Sequence, residues 1–262
     1  MLRSIVFNVV WVVNLAVYMI INIPLFLTVM SAEQRHEVPK RWARQNYWLH
    51  RVIVGTRIDV QGRENIPHGP AIIASKHQSN WDFYVINDLL PNSAFILKDE
   101  LMRIPIFGRF VAGLNHIPIR RADKGHAMRR MIARAKKEVA QDRQIVVFAE
   151  GTRTIPTAEP AYRYGTTRMY LELGVPVVPV ALNSGLYWER KSFMRHPGKI
   201  RIRFMEPIPP GLDADTFTER MITAIESGMD TINSEALTDK HVPPLALEVA
   251  KLPPAKERIA RS

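Results

Sequence analysis

The sequence predicts an α/β domain, with a mixed, largely parallel sheet flanked by helices and an N-terminal apolar, membrane-associated helical segment before it. Three observations carry this. Short apolar runs alternate with helix-like segments across residues 56–238. An uncharged stretch runs from Ser4 to Ala32. Polar residues gather where apolar runs end, as in SKHQSNWDFY (Ser75–Tyr84) and VVFAEGTRT (Val146–Thr154).

The N-terminal part, residues 1–55, reads as the membrane-associated segment. A spanning helix needs about 20 apolar residues, so the length suffices. Asn8, Asn14, Asn22 and Pro24 interrupt it, and Pro24 is placed to end or kink the helix near Ile23. The segment therefore either spans once or enters the interface and turns back. It exceeds the roughly 7–15 apolar residues of a secretory signal. Arg3 precedes it, whereas Arg35, Lys40, Arg41, Arg44 and Arg51 follow. If the segment spans, that bias places the bulk of the chain on the cytoplasmic side. Trp42, Tyr47 and Trp48 mark a second stretch, lying either at head-group level or packed on the domain.

In the body, residues 56–238, the runs Arg57–Val60, Ala71–Ala74, Ala94–Leu97, His116–Ile119, Gln144–Ala149, Val177–Leu182 and Lys199–Met205 read as strands. Lys124–Gln141 carries an apolar stripe at Met128, Ile132, Ala135 and Val139, which predicts a helix. Asp213–Leu237 reads as another, with Asp213 or Asp215 as its cap. Residues 239–262 hold two Pro-Pro pairs and a basic end, and are expected to be loosely ordered.

Composition narrows the chemistry. The 262 residues are 47% hydrophobic and carry a formal charge of +11. Such a surface favours anionic partners: phospholipid head groups, phosphorylated substrates or an acidic carrier protein. Nucleic acid is not expected, because no binding motif accompanies the charge and the apolar N-terminus gives a better reason for it. There is no cysteine, which removes disulfides, thiolate nucleophiles and cysteine–zinc sites. The sequence contains no Gly-x-Ser-x-Gly, no P-loop, no Gly-x-Gly-x-x-Gly and no His-Glu-x-x-His, and no metal is expected.

The first polar cluster is His77 with Asp82. Ser79 or Asn80 is placed to cap a helix starting near Trp81, which leaves His77 in the loop and Asp82 in the first turn. Across that corner the two can meet. The carboxylate would then accept one imidazole proton and leave the other nitrogen as a base. Otherwise Asp82 simply complements the helix dipole. The second cluster is Glu150-Gly151-Thr152-Arg153 at a strand end. Gly151 allows close backbone approach, and Arg153 suits a phosphate. Glu150 is placed to accept from hydroxyls or to hold Arg153. Arg120 and Arg121 end a third run, and Val175–Val180, with Pro176 and Pro179, forms a buried-looking strand.

Four stretches in this order resemble the blocks of the 1-acylglycerol-3-phosphate acyltransferase family: His77-Gln78-Ser79-Asn80-Trp81-Asp82, Ile119-Arg120-Arg121, Phe148-Ala149-Glu150-Gly151-Thr152-Arg153-Thr154, and Val175-Pro176-Val177-Val178-Pro179-Val180. The resemblance spans about Arg57 to Pro207. It implies transfer of a fatty acyl chain from an acyl thioester, acyl-CoA or acyl carrier protein, to the sn-2 hydroxyl of lysophosphatidic acid at a phospholipid membrane, with no further cofactor. His77 would be the base and Asp82 its orienting partner. Arg121, Glu150, Gly151, Thr152 and Arg153 would hold the glycerol phosphate. Ala149 stands where the family usually has proline, Thr154 for serine, Arg120 for aspartate and Arg163 for a common lysine. The extra guanidiniums leave room for another lysophospholipid or a lyso-aminolipid acceptor. A non-catalytic, anionic-lipid-binding protein on the same fold is the rival from another class.

Overall fold

A computed structural model describes residues 1–104, 107–120 and 124–260. The chain begins with α1 (Leu2–Thr28) and α2 (Ala32–Leu49), followed by one π-helical turn, His50–Val54. Then come β1 (Thr56–Gln61), β2 (Ala71–Ser75), α3 (Trp81–Leu89), β3 (Ser93–Lys98), α4 (Phe107–Gly113), β4 (Ile117–Ile119), α5 (Lys124–Val139) and β5 (Gln144–Phe148). The rest is α6 (Gly165–Leu173), β6 (Val177–Leu182), β7 (Gly198–Phe204), α7 (Ala214–Leu237), α8 (Pro244–Val249) and α9 (Ala255–Ala260).

The strands form one seven-stranded sheet in the order β1-β7-β6-β2-β5-β3-β4. Among the strand pairs of the described residues, β6–β7 alone is antiparallel. The sheet is thus mixed and largely parallel, as the alternating pattern predicts. After β2 the chain moves to one side, to β3; after β5 it crosses to the other, to β6. Such a reversal opens a crevice beyond the carboxyl ends of the strands where it occurs. Ser75 on β2 lies opposite Phe148 on β5, so the two polar clusters leave the sheet side by side.

Side-chain alternation divides the core between the sheet faces. Val146 packs with α1, α2 and α3, while Ile145 packs with α5, α6 and α7. α7 presents Phe217, Met221, Ile225, Met229 and Ile232 at helical spacing and is capped by Asp213, which accepts from the Asp215 and Thr216 amides.

α1 runs unbroken through Pro24 to Thr28. Polar side chains take up carbonyls around that proline: Asn22 Nδ2 donates to Tyr18 O (2.8 Å) and Thr28 Oγ1 to Pro24 O (2.6 Å). One side of α1 lies along the domain. Ser4 bonds the Arg195 backbone, Asn8 Nδ2 donates to Phe193 O (2.8 Å), and Phe7 and Phe26 are fully buried. The other side exposes Val9, Val12, Val13, Val17 and Ile20. α1 is the one helix among the described residues with the length and hydropathy to cross a membrane. α2 packs on the domain, with Trp42 edge-on to Tyr84, while Trp48 is exposed.

The tail differs from the loose ordering its prolines suggest. Pro244 starts α8, and α9 docks against α7. The reason is polar: Asp230 accepts from the Ala255 amide (2.6 Å) and from Arg258 Nη2 (2.7 Å), and Arg258 Nη1 pairs with buried Glu226 at 3.0 Å.

Candidate active site

His77 and Asp82 meet across the loop-to-helix corner. His77 Nδ1 lies 2.9 Å from Asp82 Oδ2. The same oxygen accepts the amides of Gln78 (2.7 Å) and Ser79 (2.9 Å), so the turn wraps the carboxylate. Oδ1 accepts from Ser79 Oγ (3.3 Å) and from Ser184 Oγ. Asp82 is fully buried. A carboxylate surrounded by donors accepts the imidazole proton at Nδ1, which leaves Nε2 as the acceptor. The ring stacks on Phe148 with centroids 3.7 Å apart, which fixes its plane. Ser79, rather than Asn80, supplies the cap, its Oγ accepting from the Trp81 amide (3.1 Å).

Asn80 has another partner. Its Oδ1 accepts from Arg153 Nη1 at 2.6 Å, drawing the guanidinium across the mouth of the site. Arg153 leaves β5 on a turn made possible by Gly151, whose φ of 69° lies in the left-handed region. The turn is clipped to the histidine loop by the Thr154 amide, which donates to His77 O (2.9 Å). Arg190 Nη1 donates to Arg153 O (2.8 Å), so a second guanidinium stands beside the first.

Of the two roles open to Glu150, accepting from hydroxyls or holding Arg153, the structure shows the first, with the Thr154 hydroxyl as donor. Its carboxylate is enclosed, 2% exposed, and does not hold Arg153. Oε1 accepts from Lys76 Nζ (3.0 Å) and Oε2 from Thr154 Oγ1 (2.7 Å). The strand end turns this side chain inward, so Glu150 shapes the turn that presents Gly151, Thr152 and Arg153. Arg121 lies outside the described residues.

Beyond His77 opens a cavity of about 860 Å³. Its mouth carries His77, Asn80, Thr152, Arg153, Arg163 and Arg190. The remaining lining is largely apolar and includes Trp11, Leu15 and Tyr18 of α1, Trp42 of α2, and Phe83 and Tyr84 of α3. Asn80, Phe83, Tyr84 and Asn87 follow helical spacing, so one face of α3 contributes to this lining. The sheet's other face adds Met128, Met131 and Met169. A basic rim over an apolar interior fits an amphiphile with an anionic head.

Sequence reasoning missed Lys76, Ser184 and Arg190. Lys76 had a signal, a lysine ending a strand that is otherwise buried. Ser184 follows the Val-Pro strand in Asn183-Ser184-Gly185, where the third position has to be glycine. A Cβ on Gly185 would meet Gln78 Cβ and Pro156 Cγ at 2.9 Å each.

The chain is similar to known acyltransferases. A family model described as Acyltransferase matches residues 57–183, which include both polar clusters. A 1-acyl-sn-glycerol-3-phosphate acyltransferase of Pseudomonas aeruginosa is 32% identical over 203 residues, covering 77% of this chain and 77% of that protein. The 1-acyl-sn-glycerol-3-phosphate acyltransferase of Saccharomyces cerevisiae is 26% identical over 220 residues, covering 80% of this chain and 72% of its own length. The crystal structure of the 1-acyl-sn-glycerophosphate (LPA) acyltransferase PlsC from Thermotoga maritima shares the fold, with a TM-score of 0.71 at 21% identity over 88% of this chain and 95% of that one.

Proposed function

Because the chain belongs to the 1-acyl-sn-glycerol-3-phosphate acyltransferase family, we propose that it moves a fatty acyl chain from an acyl thioester to the sn-2 hydroxyl of 1-acylglycerol-3-phosphate, giving phosphatidic acid. The observation that carries this reading is the His77–Asp82 pair at the mouth of an apolar cavity rimmed by Arg153, Arg163 and Arg190.

The geometry suits direct transfer. His77 Nε2 takes the proton of the sn-2 hydroxyl as its oxygen bonds to the thioester carbonyl carbon. Collapse of the tetrahedral intermediate breaks the carbon–sulfur bond, and the imidazolium returns the proton to the leaving thiolate. Asp82 stabilises the imidazolium and keeps Nδ1 as the donor. Arg153, flanked by Arg163 and Arg190, grips the phosphate with charge-assisted hydrogen bonds. The apolar lining takes acyl chain. Either acyl-CoA or acyl carrier protein meets the chemical requirement, since both present the same thioester.

α1 supports a monotopic membrane association. Contacts from Ser4 to Phe26 hold it against the domain. That stretch rises about 33 Å at 1.5 Å per residue, so a full crossing would drag the contacting loops into hydrocarbon. Its exposed valines and isoleucines instead enter one leaflet, with the basic body at the head-group surface.

The test is transfer of a labelled acyl chain to lysophosphatidate by detergent-purified protein, from acyl-CoA and separately from acyl carrier protein. Phosphatidate is expected, and lysophosphatidylcholine and a lyso-aminolipid added as competing acceptors are expected to yield less product. Product from those acceptors but not from lysophosphatidate would reassign the head group. No product from any acceptor would leave a lipid-binding role.

A further inference from the structure

We infer that the C-terminal helix α9 positions the phosphate-gripping turn, with Arg258 acting through a buried row of charges that ends beside His77. Lys76 Nζ lies 3.0 Å from Glu150 Oε1 and 2.6 Å from Glu226 Oε1. Glu226, fully buried on α7, also accepts from Tyr162 Oη (2.7 Å). Its other oxygen faces Arg258 Nη1 at 3.0 Å. Arg258 then reaches Asp230 Oδ1 (2.7 Å), which fastens α9 to α7, and Pro253 O (3.1 Å) in the turn before α9. Lys76 sits over the Tyr162 ring at 5.1 Å, so aromatic surface shields the row from water.

The arrangement is balanced. Two cations, Lys76 and Arg258, face two enclosed carboxylates, Glu150 and Glu226. Buried charges are tolerated when each has a partner, and loss of one partner leaves the other uncompensated at low dielectric. Without Arg258, one lysine serves two carboxylates. Glu226 then competes with Glu150 for Lys76. Glu150 is the group that receives Thr154 Oγ1 and shapes the turn carrying Arg153. Arg258 touches no reacting atom in this scheme; it is a positioning residue. Anchoring of the tail alone would also explain its contacts with Asp230. Charge balance and tail anchoring differ in one consequence: neutralising Glu226 compensates for the loss of Arg258 only if charge balance is what matters.

The experiment uses the full chain in detergent, as wild type, Arg258→Ala, Arg258→Lys and Arg258→Ala/Glu226→Gln. Amide hydrogen exchange is followed over residues 148–156, and the acceptor and donor KM are measured alongside. Arg258→Ala is expected to speed exchange in that turn on the order of tenfold and to raise the acceptor KM by a similar factor, with the donor KM within about twofold. Arg258→Lys and the double variant are expected to lie near wild type. Faster exchange confined to residues 250–260, or a double variant as impaired as Arg258→Ala, would overturn the inference. The kinetic arm rests on the proposed acyl transfer and the exchange arm does not. A wild type that forms no product refutes that reading, while an undisturbed turn refutes this one.

Discussion

The hydroxyl of Ser184 donates to Asp82 Oδ1 from a turn 102 residues further along the chain. β6 lies beside β2, so the turn after β6 closes over the loop after β2. The carboxylate that holds His77 is thereby fixed from two strands. Ser184→Ala removes one donor from a fully buried carboxylate, a change worth about 1–3 kcal/mol. The expected result is a kcat lower on the order of tenfold with little change in acceptor KM, since the imidazole is misaimed but the phosphate grip is intact. Single-turnover acyl transfer checks this. A rise in acceptor KM at unchanged kcat would show that Ser184 serves binding.

His77→Ala removes the base, and Asp82→Asn spoils the tautomer, because an amide can present its N–H to Nδ1. General-base assistance is worth about 10²–10⁴ in rate, and both variants are expected to lose that much. Folding should survive His77→Ala, a part-buried residue, as read by an unchanged thermal midpoint. Near wild-type turnover in that variant would remove His77 from the mechanism.

What the sequence revealed, and what it hid, follows from distance along the chain. The seven strands were readable because each is either a short apolar run or, as in β1 and β7, an alternation of apolar and polar residues. The meeting of His77 and Asp82 was readable because both lie within one corner. The lysine partner of Glu150 was hidden because that neighbour is set by topology. Lys76 stands 74 residues away on an adjacent parallel strand, and that adjacency requires the crossover from β2 through β3 to β5. Ser184 and Arg190 enter the site only because β6 lies on the far side of β2. The tail was misread because two prolines announce a loop, while the carboxylates that order it, Glu226 and Asp230, sit on α7.

Arg153→Ala removes the guanidinium that Asn80 holds over the cavity mouth. Hydrogen bonds to charged groups are worth about 1.5–3 kcal/mol, which corresponds to roughly 10- to 150-fold in affinity at 1.4 kcal/mol per decade. The acceptor KM is expected to rise within that range. Arg153→Lys should restore only part of the loss, because an ammonium lacks the two-pronged geometry. If the donor KM rose and the acceptor KM did not, the phosphate role would pass from Arg153 to its neighbours.

Burial of two histidines predicts acid sensitivity. Desolvation, aided by the nearby Arg143 charge, lowers His116 to about 3. Desolvation, with a smaller contribution from Arg195, lowers His50 to about 3. The geometry agrees: His116 Nδ1 accepts from the Phe95 amide at 3.3 Å, which only a neutral ring can do, and His50 packs on Phe7 and Trp188. In the unfolded chain both rings return to the ordinary value of about 6.5. Between those values the unfolded state binds protons that the folded state refuses, so stability is full above about pH 6.5 and falls as the pH drops toward 3. Arg143 is the charged group that opposes protonation of His116; His36, itself lowered to about 4 chiefly by burial, is neutral over most of this range and adds to the same acid sensitivity. The thermal midpoint in detergent is therefore expected to fall between about pH 7.5 and pH 5. The fall should be shallower in His116→Gln, whose amide can still accept from Phe95 and does not titrate. Equal slopes in the two proteins would show that the acid sensitivity comes from other groups.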